Sequence, residues 1–213
     1  MDKPAIEICE AFAKAGYPLD VEALLIIEVE GSEAEMEAEL GRIVAIAKQH
    51  GVTTVRESKS ATETALIWKG RKSAFGATGR IADYICMDGT VPTGQLTFVL
   101  KGTAEIVARY GLRVANVFHA GDGNMHPLIL YNCNDPVEQE KAEKAGEDIL
   151  RLCVDAGGCL TGEHGVGIEK RDLMLHQFTQ TDLDQQMRVR AVFDAAWRLN
   201  PAKVFPLEGR IAA

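Results

Sequence analysis

The chain has 213 residues, with 31 acidic against 23 basic side chains and a formal net charge of −8 at pH 7. A chain of this length buries roughly 70% of its unfolded surface, so it needs no disulfide or metal ion in order to fold. The composition, 46% apolar and 25% charged, is that of a globular protein and excludes a disordered one. The acidic balance argues against a surface that binds nucleic acid, because such surfaces are basic.

Hydropathy and cysteine usage indicate the compartment. The longest apolar run, Ala23 to Ile27, is far shorter than the ~18 residues of a membrane span, and the N-terminus lacks the basic start and apolar core of a signal peptide. We therefore expect a cytoplasmic protein without a membrane span. Reduced thiols are expected too, since the cysteines are odd in number and never spaced C-x-x-C: Cys9, Cys86, Cys133, Cys153 and Cys159.

Strands and helices alternate in the first part of the chain. The apolar run Ala23–Val29 predicts a buried strand. Ser32 can cap the helix that follows, and Gly51 ends that helix. Val52–Arg56 predicts a second strand, and a second helix is expected from Ala61 to about Phe75.

The second part contains a predicted hairpin, which makes a purely parallel sheet improbable on sequence grounds. A glycine-rich turn separates its two strands, as a tight hairpin requires. We predict an α+β domain over residues 1–213, with a mostly antiparallel sheet that helices cover on one side. The predicted elements are an extended segment at Tyr84–Met87, a helix at Gly94–Tyr110, hairpin strands at Arg113–His119 and Met125–Tyr131, and helices at Pro136–Asp155 and Asp182–Leu199.

The strongest local signal is the segment FHAGDGNMH at the predicted hairpin. It places His119 at the end of one strand and His126 near the start of the next, where both imidazoles can reach one metal ion. Asp122 and Asn124 in the turn can orient the ring nitrogens or tighten the turn. The alternative is a plain hairpin turn in which the two histidines are incidental.

A second signal, TGEHGVG at Thr161–Gly167, places an acid beside an imidazole between glycines that allow close approach of a ligand. Its alternative is a helix cap followed by a flexible loop. His119, His126 and Glu163 together form a two-histidine, one-carboxylate set that leaves positions open on a divalent metal. His164 would then be free for acid–base work.

Two further segments are weaker. In WKGRK, Arg71 can hold a substrate carboxylate in a bidentate pair, but a solvated helix face explains the same residues. The segment Asn200–Pro206 is a helix stop and an extended tail. Glycine-rich nucleotide-binding motifs and the G-x-S-x-G motif of serine hydrolases are not found in the sequence. The residues thus indicate a metal centre and a base.

The three segments HAGDGNMH, TGEHGVGIEKRDLM and NPAKVFP, in this order, resemble the C-terminal half of the FAD-linked 2-hydroxy-acid oxidases and dehydrogenases. This family includes the FAD-linked subunit of bacterial glycolate oxidase, D-lactate dehydrogenases and D-2-hydroxyglutarate dehydrogenases. The segments IWKGRKSAFGATGRI, DYICMDGTVPTGQL and MDKPAIEI extend the resemblance over nearly the whole chain. It implies the family's C-terminal fold, an antiparallel sheet with helices of the ferredoxin-like cap type.

The resemblance also implies roles for individual residues. His164 would accept the proton of the substrate hydroxyl, Arg71 would bind the substrate carboxylate, and Asn200 would contact the cofactor. A hydride would pass from the substrate to FAD, while the metal polarises the hydroxyl. The implied ligands of this divalent metal, usually zinc, are His119, His126 and Glu163.

Two departures from the family pattern bear on substrate and cofactor. Asp88 and Pro92 match a D-x-x-x-P segment, but Cys86 stands where relatives that act on dicarboxylates have a lysine, which favours a small monocarboxylate such as glycolate or lactate. Family members also carry an N-terminal FAD-binding domain of roughly the size of this chain. We expect that domain to be absent here and FAD to be bound mostly by another domain or subunit, because side chains do not accept hydride.

The predicted function is therefore the substrate- and metal-binding portion of a flavin-dependent oxidoreductase. The alternative is a non-catalytic assembly or regulatory subunit that keeps the family fold, against which the metal set and His164 argue. A metal-dependent hydrolase would use the same ligands without a flavin. Homo-oligomerisation is left open by the sequence.

Overall fold

The computed structural model describes residues 1–207, which form two compact units. The first unit is Met1–Thr78, and the second begins at Gly79. A domain can contain two compact units, so the assignment of residues 1–213 to one domain stays a prediction. None of the helices among the described residues is long and apolar enough to cross a membrane.

The N-terminal unit is helical. The helix predicted after Ser32 is confirmed, and it begins with a capping box in which the Ser32 amide donates to the Glu35 carboxylate at 2.9 Å. The next helix begins after Ser60, whose hydroxyl accepts from the Glu63 amide at 3.2 Å. The helices of this unit are α1 (Lys3–Ala13), α2 (Glu33–Gln49), α3 (Ala61–Lys72) and α4 (Ala74–Thr78).

The two strands predicted in this unit are wrong. The backbone of Leu24 exchanges hydrogen bonds with that of Met1, both at 2.9 Å, but Ala23–Val29 forms no strand and Leu25 is 66% exposed. Val52–Arg56 is likewise outside any strand. An apolar run forms a stable strand only where neighbouring strands pair with its backbone, and composition alone does not supply those neighbours.

The C-terminal unit is built on a three-stranded antiparallel sheet. Its strands are β1 (Asp83–Cys86), β2 (Arg113–Asn116) and β3 (Pro127–Tyr131), in the order β1-β3-β2. The central strand β3 is a continuous apolar run, and its first four residues are buried. The predicted α+β class with an antiparallel sheet is confirmed.

Helices pack against this sheet and complete the core of the unit. Ile129 on β3 is fully buried beside Ile149 and Leu150, each 1% exposed. The prediction of a helix at Pro136–Asp155 is confirmed to the residue, and the Asp135 carboxylate caps it by accepting from the Val137 amide at 2.9 Å. The helices are α5 (Leu96–Arg109), α6 (Pro136–Asp155), α7 (Met174–Gln177) and α8 (Gln180–Phe193).

The last helix ends six residues earlier than predicted. The carboxylate of Asp194 accepts hydrogen bonds from the amides of Arg198 at 2.8 Å and Leu199 at 2.9 Å. These bonds hold residues 194–199 in a turn, so the chain leaves the helix before the proline that was expected to end it.

The hairpin that carries the two histidines is confirmed, with shorter strands than predicted. Asn116 on β2 pairs with Pro127 on β3, and an isolated bridge joins His119 to Asn124 beyond them. Gly123 closes the turn with φ +67, a left-handed conformation that favours glycine. The turn therefore fixes both histidines at one end of the sheet.

Candidate metal centre

The hairpin places the two histidines side by side. The rings of His119 and His126 are 5.5 Å apart between centroids and nearly perpendicular. His126 is buried, at 2% exposure, whereas His119 is exposed. The His119 amide donates to the Asn124 carbonyl at 3.0 Å, which holds the turn in register.

The loop of the second motif lies against this hairpin. Glu163 Oε1 is 2.9 Å from His126 Nε2. The ring of His164 stacks on that of His126, with 5.2 Å between centroids and 12° between planes. His119, His126, Glu163 and His164 are thus gathered at one place, although His126 and Glu163 are 37 positions apart in the sequence.

A shallow pocket of about 350 Å³ opens beside this group. Glu163 and His164 are exposed, so a small polar ligand can reach both from solvent. The pocket is lined by Thr90, His119, Asp122, Asn124, Gly162 and Glu163.

Asp88 belongs to the same group, and sequence reasoning gave it no role. One ligand atom from each of Asp88, His126, Glu163 and His164 lies within 4.8 Å of the others. Asp88 is fully buried two residues after the end of β1, and its Oδ2 lies 3.0 Å from Nζ of Lys170, which was also missed. The sequence signal was an acid in an otherwise apolar segment, at a position that matches the family's D-x-x-x-P segment.

Burial and neighbouring polar groups shift the pKa values of His126 and Asp88. Burial lowers the pKa of His126, although the Glu163 carboxylate opposes the shift, and the neutral imidazole is the form that binds a metal. Burial alone would raise the pKa of Asp88. Hydrogen bonds from the Thr161 hydroxyl, the His164 amide and Lys170 outweigh burial and hold that pKa well below its usual range.

These donors fit a divalent metal. Imidazole nitrogens and carboxylate oxygens are ligands of zinc and manganese, and neutral His126 is already in the binding form. The set whose ligand atoms lie within 4.8 Å of one another is Asp88, His126, Glu163 and His164. The predicted set shares His126 and Glu163 with it, but His119 is outside that set, so its part as a ligand stays a prediction.

Cys86, at the end of β1, lies near the same group. Burial raises the pKa of its thiol to about 12, and the negative charge of Asp88 adds to this shift. The thiol is therefore uncharged at neutral pH. It places no positive charge at the position where a lysine would place one.

Arg71 lies on α3 in the N-terminal unit, whereas the histidines belong to the other unit. It is half-buried among N-terminal residues. Burial raises the pKa of the Cys9 thiol to about 11, and the Arg71 guanidinium opposes that shift. Its predicted contact with a substrate carboxylate stays a prediction.

Asn200 lies in the turn that follows α8, exposed and with φ +45. The turn approaches the second motif, since the Val204 amide donates to the Gly167 carbonyl and Arg171 Nη1 to the Ala202 carbonyl, both at 2.8 Å. Asn200 also lines an open cavity of about 390 Å³. The third motif is thus joined to the second, and the contact of Asn200 with the cofactor stays a prediction.

Comparison with known proteins gives a consistent result. The family described as FAD linked oxidases, C-terminal domain, matches residues 1–204. The glycolate oxidase subunit GlcD of Escherichia coli K12 is 47% identical over 213 residues, which are 100% of this chain and 43% of that protein. GlcD of Bacillus subtilis 168 is 31% identical over 211 residues, covering 99% of this chain and 45% of the relative.

A third relative carries a different name. The mitochondrial D-lactate dehydrogenase [cytochrome] of Kluyveromyces lactis is 33% identical over 185 residues, covering 83% of this chain and 31% of that protein. The chain spans less than half the length of each of these three relatives. With the family match over residues 1–204 and the motifs gathered at one place, the chain belongs to the FAD-linked oxidase C-terminal domain family.

Proposed function

We propose that this chain is the substrate- and metal-binding portion of a flavin-dependent oxidoreductase that converts a small 2-hydroxy acid, glycolate or D-lactate, into the 2-oxo acid. The observation that carries the proposal is the meeting of the two motifs at His126. Glu163 lies at 2.9 Å from it, and the His119 and His164 rings are 5.5 and 5.2 Å from its ring between centroids. The names of the relatives, glycolate oxidase and D-lactate dehydrogenase, support the substrate class.

The proposed metal ligands are His119, His126 and Glu163, and the proposed metal is zinc. A divalent metal held there supplies Lewis acidity that lowers the free energy of removing the hydroxyl proton. His126 would contribute a neutral buried nitrogen. His119 and Glu163 are exposed, so a substrate can approach this group from solvent.

His164 is the proposed base. Its side chain is 43% exposed, so a ligand can approach it from solvent, and its Nε2 is 3.7 Å from Oε1 of Glu163, which lines the pocket. The neighbouring carboxylate stabilises the imidazolium that forms when His164 takes the hydroxyl proton. FAD, held by another domain or subunit, would supply the two-electron acceptor for the hydride of the α-carbon.

Two residues define the proposed substrate. Arg71 would bind its carboxylate in a bidentate pair. The uncharged Cys86 thiol offers no partner to a second carboxylate, and burying an unpaired charge is unfavourable. A monocarboxylate is therefore the proposed substrate class.

The proposed partner is an FAD-binding domain or subunit, because protein side chains do not accept hydride. Asn200 would contact the flavin from this chain. Exposed apolar side chains on α8 support a covering partner: Val189, Val192 and Phe193 are 64%, 79% and 82% exposed. A cytoplasmic location and homo-oligomerisation stay predictions from the sequence.

Glycolate binding to the zinc-loaded chain tests this function. Isothermal titration should show glycolate binding that is at least about tenfold tighter with zinc than after zinc removal, since hydroxyl and carboxylate can bind the metal together. Acetate lacks the hydroxyl and is the matched control, which we expect to bind more weakly than glycolate. Equal glycolate affinity with and without zinc would contradict the proposed function.

A further inference from the structure

The feature that carries a further inference is the buried ion pair between Asp88 and Lys170. Lys170 Nζ lies 3.0 Å from Asp88 Oδ2, and the two side chains are 3% and 0% exposed. A buried ion pair gains little net stability, because desolvation offsets the Coulomb attraction. Neither residue has a part in the chemistry proposed above, so the pair calls for another role.

The Asp88 carboxylate also accepts hydrogen bonds from four successive residues of the second motif. Its Oδ2 accepts from the Thr161 hydroxyl at 2.5 Å and from the amides of Gly162 at 3.1 Å and His164 at 2.9 Å. The Glu163 amide points at both oxygens, at 3.2 and 3.3 Å. One carboxylate thus fixes the backbone on which Glu163 and His164 are mounted.

The hydrogen bonds that the Asp88 carboxylate already accepts bear on whether it can also bind a metal. A carboxylate offers about four lone-pair sites, and five donors already share those of Asp88. Its Oδ1 is 3.6 Å from His126 Nε2, but the ammonium of Lys170 balances its charge and weakens its attraction for a cation. Both observations argue against Asp88 as a metal ligand.

We propose that Asp88 and Lys170 are a buried positioning pair that presets the loop of residues 161–165, so that Glu163 and His164 face His126 before any ligand arrives. Asp88 holds the loop, and Lys170 holds the carboxylate in place through its ammonium at 3.0 Å. The part of this inference that concerns metal affinity rests on the proposed function, whereas the part that concerns the loop does not.

The variant Lys170→Met tests the pair in the full chain. We expect the zinc affinity to become about 10- to 100-fold weaker, the range typical of the loss of a residue that holds a metal ligand in place. One zinc should still bind per chain. Amide hydrogen exchange at Glu163 and His164, which donate to the Asp88 carboxylate, should become faster. Lys144→Met, which breaks an exposed pair with Glu140 on α6, is the matched control and should change neither quantity.

A second variant keeps the test decisive if Lys170→Met leaves Asp88 buried without its partner and fails to fold. Asp88→Asn/Lys170→Met removes both charges, and we expect it to fold, with faster exchange of the Glu163 and His164 amides and weaker zinc binding. Wild-type exchange and wild-type zinc affinity in the double variant would overturn the proposal. Complete loss of zinc in the double variant would also overturn it, since Asp88 would then be a ligand.

The outcomes for the pair and for the proposed function are distinguishable. If the wild-type chain binds no zinc, the proposed function fails. The exchange of the Glu163 and His164 amides still tests the pair in that case, because both amides donate to the Asp88 carboxylate.

Discussion

Replacing His126 with alanine should reduce the zinc affinity of the chain by at least about 100-fold, more than the loss of an outer-shell partner. His126 belongs both to the predicted ligand set and to the set whose ligand atoms lie within 4.8 Å of one another. It is buried, its pKa is lowered by that burial, and Glu163 Oε1 is 2.9 Å from its Nε2. Alanine offers no nitrogen in its place.

Competition titration with a zinc chelator measures this effect. His176→Ala is the matched control, since His176 Nε2 lies 2.8 Å from Asp155 Oδ1 on the far end of α6 and takes no part in the group. The control should keep wild-type zinc affinity. Unchanged zinc affinity in His126→Ala, in a variant whose circular dichroism shows that it folds, would remove the histidine hairpin from the metal centre.

The second large effect is expected at the turn between the two histidines. Gly123→Ala should lower the free energy of unfolding by about 2 to 4 kcal/mol, since a left-handed conformation costs about 1 to 2 kcal/mol and overpacking adds a similar amount. Gly123 has φ +67, and a Cβ there would overlap the backbone carbonyl of Val91. That carbonyl cannot move freely, because the Val91 amide donates to the Gly123 carbonyl at 2.9 Å.

Urea unfolding of the two glycine variants of this turn measures the effect. At Gly121 no atom of the described residues, apart from its chain neighbours, lies within 4 Å of an added Cβ, and φ is not left-handed. Gly121→Ala should therefore stay within about 0.5 kcal/mol of wild type. Equal stability of the two variants would show that the turn does not pack against Val91 as described. Zinc affinity should fall only in Gly123→Ala, since the turn sets the spacing of the histidines.

The local parts of this structure could be predicted because local chemistry determines them. Ser32 and Asp135 mark the starts of α2 and α6 with side chains that satisfy free amides. The glycine turn predicts the hairpin, and the hairpin brings His119 and His126 together. Each of these predictions depends only on residues close in sequence.

The parts that sequence reasoning missed depend on distant partners. Ala23–Val29 has the composition of a buried strand, but no neighbouring strand pairs with it. Asp88 and Lys170 are 82 residues apart, and their pairing becomes visible only when β1 and the second motif come together. The helix α8 ends early because Asp194 binds amides that follow it, a competition that helix periodicity does not reveal.

Measuring the zinc affinities of His119→Ala and His164→Ala side by side shows which of these two histidines binds the metal together with His126 and Glu163. His119 is the proposed metal ligand, and His164 is the proposed base. We therefore expect His119→Ala to lose at least about 100-fold in zinc affinity, more than an outer-shell change. His164→Ala should keep its affinity within about tenfold, the lower end of outer-shell effects. The reverse result, with zinc lost in His164→Ala and kept in His119→Ala, would contradict the central claim.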